Sequence, residues 1–218
     1  MMQNNISPYN SKLTIGIVGG SGAGKSKVCE ILEGLEVEII NADLIGHNAL
    51  LKEYPNSAYH QIIAIFGEEI LGEGDEICRK KLGKIVFSNT DALTRLSAIT
   101  HPFIIKEVQS RIMSSKNRIF AIDAAVLIEM GLHKICRAVL GVFAPIDERV
   151  SRIMYRDNIA RGAAKNRINS QKSDCFVRQF ITHEIHNDSN LGDLNEKVHD
   201  FFDNVIRNSN SGGVRGTK

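Results

Sequence analysis

The segment Gly19-Gly-Ser-Gly-Ala-Gly-Lys-Ser26 constrains this chain more than any other. It fits G-x-x-x-x-G-K-[ST] at every specified position. An apolar, β-rich run, Leu13-Thr-Ile-Gly-Ile-Val18, precedes it. A helical pattern with Val28, Ile31 and Leu32 follows, and Gly34 is the expected C-cap. Strand, glycine loop and helix in that order make a backbone cradle for a polyphosphate. Glycines at 19, 20, 22 and 24 let the chain wrap an anion without a Cβ penalty. The amides of the whole loop, Ser21 and Ala23 included, then point inward, and the helix adds the positive end of its dipole. Lys25 reaches the β- and γ-phosphates as a mobile point charge, and the Ser26 hydroxyl is placed to ligate Mg²⁺. A nucleotide polyphosphate with Mg²⁺ is the expected ligand.

Four further short apolar runs read as strands: Val37–Ile40, Ile119–Ile122, Ala138–Phe143 and the weaker Glu184–His186. Separated by helical patterns, they predict an α/β fold, a parallel sheet covered by helices on both faces. Residues 48–116 show no convincing strand and read as a helical insertion. Leu93, Leu96 and Ile99 mark one helix face there. Ile104, Ile105, Val108 and Ile112 mark another behind Pro102, which suits a first helical turn. Near the end, Leu194, Val198, Phe201, Phe202 and Val205 form a stripe of helical period that reads as core. The expected organisation is a nucleotide-binding core of 12–47, 117–148 and 176–207, the insertion 48–116 and a lid of 149–175. Residues 1–11 and 208–218 read as frayed tails.

Composition closes off other classes. With 43% hydrophobic and 24% charged residues the chain can bury a core without staples. A formal net charge of +2 argues against a global polyanion-binding surface. Cys29, Cys78, Cys136 and Cys175 are far apart, with no C-x-x-C pair, and read as buried or semi-buried free thiols of a reducing compartment. No secretory leader and no apolar run of membrane-spanning length stands out. The expectation is a soluble, cytoplasmic monomer that binds neither membrane nor nucleic acid.

A phosphate loop alone does not choose a reaction. A GTPase needs N-K-x-D and D-x-x-G, and the nearest strings are Gln171-Lys-Ser-Asp174 and Asp43-Leu-Ile-Gly46. The first lacks the asparagine and the second follows the loop too soon, so both read as coincidence. Asp43 instead sits just past the second strand, where the carboxyl ends of a doubly wound sheet line a ligand crevice. A carboxylate there can orient an acceptor hydroxyl, accept its proton or help hold Mg²⁺; a surface-turn aspartate is the alternative. Asp123 ends the third run and resembles a Walker-B acid, with Glu129 six residues on. Residues 149–172 hold seven basic side chains against Asp157 alone, a local charge of +6. Arg149, Arg152 and Arg156 share a helix face. Such a face reads as a lid that closes over triphosphate and neutralises the transferring group. The alternative is a nucleic-acid patch, but Tyr155 is the only aromatic residue among the arginines, which gives bases little to stack on. His183 and His186, without further ligands, are too few for a metal site.

Taken together these segments resemble the dephospho-CoA kinase family. The resemblance spans roughly residues 13–200. It is carried by the phosphate loop, Asn41-Ala-Asp43 with Ile45-Gly-His47, Arg79-Lys-Lys-Leu-Gly-Lys-Ile-Val-Phe87, Ile99-Thr-His-Pro102, Asp123-Ala-Ala-Val-Leu-Ile-Glu129, Arg152-Ile-Met-Tyr-Arg-Asp157 and Ile185-His-Asn-Asp188. It implies phosphorylation of the ribose 3′-hydroxyl of 3′-dephospho-CoA by ATP, the last step of coenzyme A synthesis. By resemblance Asp43 is the acceptor-side carboxylate. Arg79 and His101, with Asp123 and Glu129, face the substrate; Arg152 and Arg156 belong to the lid; and Asn187 lies near the adenine. Lys27 stands where the family has threonine, so only its backbone amide keeps a nucleotide contact. Asn41 replaces an aspartate, Cys78 another aspartate, Ala125 a proline and Arg149 a glutamine. Kinases for other small hydroxyl acceptors, and a nucleotide-dependent nucleic-acid-binding protein, are the competing readings.

Overall fold

A computed structural model describes residues 12–211, the side chains of 208–211 excepted. In chain order the elements are β1 (Leu13–Val18), α1 (Lys25–Gly34), β2 (Glu38–Asn41), α2 (Ala42–Asn48), α3 (Tyr59–Phe66), α4 (Arg79–Ser88), α5 (Thr90–Ser114), β3 (Ile119–Asp123), β4 (Ala138–Phe143), α6 (Ile146–Asp157), α7 (Arg161–Asn169), α8 (Asp174–Arg178), β5 (His183–His186) and α9 (Leu191–Ser211). The chain divides into two compact units, the first made of the segments before Asn41 and after Ser114, the second Asn41–Ser114.

The first unit is built on a five-stranded sheet in the order β2-β3-β1-β4-β5. β1 pairs in parallel with β3 and β4, and β4 with β5. β1 and β4 are apolar and buried almost throughout, as strands covered on both faces must be. Val28 and Leu32 of α1 and Leu194, Val198, Phe201 and Val205 of α9 share one core with Ile15, Ile17, Leu140 and Val142. All five expected strands form, and the C-terminal stripe is core. α9 runs on to Ser211, past the boundary expected for the C-terminal tail. The expected N-terminal tail, 1–11, and residues 212–218 lie outside the described residues. Gly34 is the last residue of α1 rather than its cap. Leu35 caps the helix, and the left-handed turn falls on Glu36 at φ 61°.

α6 and α7 carry a small core of their own, with Val150, Ile153, Ala164 and Ile168 buried. Its apolar contacts make residues 146–169 a packed helix pair rather than a charged strap.

The second unit is helical, apart from a single bridge between Leu71 and Ile77. Its core gathers Tyr59, Ile62, Phe66, Ile70, Leu82 and Val86. The two helix faces expected on either side of Pro102 belong to one 25-residue helix, α5, with Pro102 inside it. An interior proline removes one backbone donor and crowds the preceding turn. Here its ring is exposed, and apolar packing on both sides, Leu96 and Ile99 before it and Ile104 and Val108 after it, keeps the helix continuous.

Candidate active site

The chain leaves the carboxyl end of β1 directly into the glycine loop. Gly19, Gly22 and Gly24 all require glycine; at Gly19, φ 155°, a Cβ would sit 2.4 Å from the Val142 carbonyl oxygen. Gly24 caps α1 at φ 107°, and a Cβ on it would sit 2.1 Å from Asn187 Nδ2. Gly22 has φ 77°, and a Cβ there would sit 2.6 Å from the Arg149 carbonyl oxygen. Each loop carbonyl from Gly19 to Ala23 meets a donor. Lys25 Nζ donates to Gly19 O at 2.9 Å, and Ala23 N to Gly20 O at 3.1 Å. Arg149 Nε donates to Ser21 O at 3.0 Å, an Arg152 terminal nitrogen to Gly22 O at 3.3 Å, and Asn187 Nδ2 to Ala23 O at 2.9 Å. A peptide whose C=O faces outward turns its N–H the other way. At the start of α1 the Lys27 amide already donates to Gly24 O at 3.0 Å, and the two amides before it lie outside the intrahelical ladder. Contrary to the expectation for the whole loop, Ser21 N is given to Gln171 Oε1 and Ala23 N to Gly20 O; the other loop amides and the helix N-terminus remain as donors for an anion, the combination that binds phosphate.

Arg152 is tied further to Glu148 at 2.6 Å and to the Asn187 carbonyl at 3.1 Å. The structure thus gathers Arg152 and Asn187 at the loop and uses the Asn187 amide on backbone. Arg156 does something else: its guanidinium makes a bidentate pair with Asp157 at 2.8 and 2.9 Å, and Asp157 also pairs with Arg167. That pairing holds the Asp157 carboxyl below the usual carboxylate range. Acids just outside the basic window take up other arginines, Asp147 pairing with Arg161 and Asp174 with Arg149. The local charge of the segment is therefore largely compensated.

Asp123 closes β3 beside Ile17 of β1, at the same end of the sheet as the loop. Glu129 is exposed in the turn that follows. Behind the loop, burial pushes the Cys29 thiol up to about 12, with the Asp123 carboxylate adding to the shift, so this cysteine stays protonated. Burial also raises Cys136 to about 12, whereas Cys175 is exposed, against the expectation for the four thiols.

In the second unit Asp43 occupies the exposed first turn of α2. Asn41 caps that helix, its Oδ1 accepting from Leu44 N at 2.8 Å. The Asn41 carbonyl oxygen is thereby committed to backbone, a role that aspartate fills equally well. His47 and Arg79 meet at 2.8 Å, with Arg79 opening α4. Partial burial and the Arg79 guanidinium hold the His47 imidazole below its ordinary pKa, against the opposing pull of Asp43. The neutral ring nitrogen then accepts from Arg79. His101 lies in the middle of α5, not at a helix entry. Leu82 and Val86 of the Arg79–Phe87 segment are core, while Phe87 is 84% exposed.

Sequence reasoning put Arg149 on the lid face and gave neither it nor Gln171 and Asp174 a hold on the loop. Gln171 Oε1 accepts from Ser21 N at 2.8 Å, and Arg149 and Asp174 make the contacts given above. Gln171 and Asp174 belong to the string set aside as coincidence. The signal was available: the string lies next to the lid's basic helix, and a polar side chain there can satisfy a loop amide.

A parallel sheet with this loop at the end of its central strand, and arginines seated against the loop, defines a P-loop nucleotide-binding protein. A model of the dephospho-CoA kinase family matches residues 13–193. The chain is 41% identical over 163 residues to the dephospho-CoA kinase of Geobacter metallireducens, 73% of this chain and 80% of that one. It is 30% identical over 196 residues to that of Lactobacillus johnsonii, 88% of this chain and 98% of the relative. Among solved structures, TT1252 from Thermus thermophilus shares the fold with a TM-score of 0.75 at 24% identity, over 88% of this chain and 97% of that one. The chain belongs to the dephospho-CoA kinase family.

Proposed function

We propose that this enzyme transfers the γ-phosphoryl group of ATP to the ribose 3′-hydroxyl of 3′-dephospho-CoA, releasing ADP and CoA. The observation that carries the reading is the glycine loop with every carbonyl from Gly19 to Ala23 turned to a donor, in a chain of this family. The acceptor oxygen bonds to the γ-phosphorus as the bond to the β–γ bridging oxygen breaks, and the hydroxyl proton passes to Asp43. In a loose transition state the carboxylate mainly orients that hydroxyl. Loop amides and Lys25 hold the phosphates, Arg152 seats the loop, and Arg156 completes the charged face of the lid.

Mg²⁺ fits the donor set. Ser26 presents an exposed hydroxyl one residue after Lys25, and hard oxygen ligands with substrate phosphates are what this ion takes. Ser26 would hold it, with Asp43 as the acid on the acceptor side, and the bound ion would neutralise charge on the phosphates. Arg79 and His101, with Asp123 and Glu129, are the proposed contacts to dephospho-CoA, and the amide of Lys27 and Asn187 complete the nucleotide side. The enzyme is read as a cytoplasmic monomer that binds no nucleic acid. One fact favours the absence of nucleic-acid binding: the lid arginines are paired with acids.

An acceptor panel tests the reading. With ATP and Mg²⁺, the protein should form ADP stoichiometrically with CoA when given dephospho-CoA, and negligible product with nucleosides, nucleotides or shikimate. Preferred transfer to one of those acceptors would overturn it.

A further inference from the structure

Among the described residues Arg149 is the one buried charged side chain, 5% exposed. Its Nε donates to Ser21 O at 3.0 Å, and a terminal nitrogen faces Asp174 Oδ1 at 3.4 Å. The other terminal nitrogen lies against Gly20, where a Cβ would sit 2.0 Å from it. Gln171 holds the amide side of the same residue, accepting from Ser21 N at 2.8 Å. A guanidinium is costly to take out of water, and the family resemblance places an uncharged glutamine here. The charge is thus dispensable for filling the space, and where it is aimed is the informative point.

We propose that Arg149 is a positioning residue for phosphoryl transfer, fixing and polarising the Ser21–Gly22 peptide of the phosphate loop. The peptide is planar, so holding the Ser21 carbonyl outward holds the Gly22 N–H toward the anion. A charge-assisted bond on the oxygen polarises the unit and makes that N–H a stronger donor. Arg152 acts in the same way on the next peptide, through Gly22 O at 3.3 Å. Asp174 orients the Arg149 guanidinium, and Gln171 pins the peptide before it. Arg149 itself touches no nucleotide in this account. The inference rests on the loop being the site of the ATP phosphates.

The test is ADP–Mg²⁺ and dephospho-CoA binding by calorimetry on the full chain, with KM and kcat for ATP alongside. Arg149→Met should weaken ADP about tenfold, equivalent to ~1.4 kcal/mol, and leave the dephospho-CoA Kd within about twofold of wild type. KM for ATP should rise in step. In Arg149→Ala, ethylguanidinium should restore ADP affinity saturably, and ethylammonium should do so less, because only the planar fork reproduces the contact. ADP binding unchanged in Arg149→Met overturns the proposal. So do equal losses for both ligands, or absence of rescue in a folded Arg149→Ala. Should those variants fail to fold, Asp174→Asn alters a partly exposed partner; a two- to threefold loss of ADP affinity is expected, and unchanged affinity overturns the proposal. Wild-type protein that binds no ADP would instead sink the phosphate-loop reading itself.

Discussion

The phosphate loop and the helical unit Asn41–Ser114 solve the problem of presenting chemistry in opposite ways. The loop is made of backbone. Its geometry is held by side chains bonded to its backbone, Arg149, Arg152, Asn187 and Gln171. The helical unit displays exposed side chains, Asp43, His47 and Arg79, from the first turns and ends of short helices over a small apolar core. A backbone site is robust to side-chain change but sensitive to its supports. A side-chain site stands or falls with individual residues and with the core that sets the helix ends.

Substitutions on the two sides sharpen that contrast. The largest effect is expected from Lys25→Met, the loop lysine proposed to hold the phosphates: turnover should fall on the order of 10²–10³-fold, with the fold retained by circular dichroism. A loss below tenfold would break the picture of a charge-stabilising loop. Next, Ile62→Ala empties a fully buried position of the helical core. It should cost about 2–5 kcal/mol in urea unfolding, while ADP affinity of the folded protein stays within about twofold. Loss of ADP affinity would show that the two regions are not separable. Asn41→Ala should cost about 1 kcal/mol through the lost cap, and Asn41→Asp close to nothing; equal losses would refute the capping role.

The smallest effect is a titration. His47 has its folded pKa depressed, so the unfolded chain binds the proton first as pH falls. Its contribution to stability is complete above the ordinary histidine value of about 6.5 and is lost as pH drops from there through the depressed folded value. The His47 ring resonances should titrate below that ordinary value and move back toward it in Arg79→Met. A His47 midpoint at or above the ordinary value would contradict the contact.

The loop was legible because the chemistry prescribes residue types at fixed spacing, and β1 and β4 because strands buried on both faces are apolar throughout. What holds the loop was not legible. Arg149 looked like one of three arginines on a shared face, yet α6 buries Arg149, half-covers Arg152 and leaves Arg156 to Asp157. Helical periodicity assigns a face but not depth, and depth here comes from how the α6–α7 core sits on the loop. Pro102 was taken for a helix start because a proline costs a helix a hydrogen bond; packing on both sides outweighed that local rule. Asn41 read as a lost acid, and only the Leu44 amide reveals it as a cap.

The most direct test of the central claim follows the phosphorus. Wild type and Asp43→Asn are incubated with [γ-³²P]ATP, Mg²⁺ and dephospho-CoA, and ADP affinity of both is measured in parallel. The account predicts labelled phosphate on the ribose 3′-oxygen of CoA with wild type. It predicts a rate on the order of 10²–10⁴-fold lower with Asp43→Asn, at ADP affinity within about twofold of wild type. Equal transfer rates for the two proteins, or label on any other oxygen of the acceptor, would contradict it.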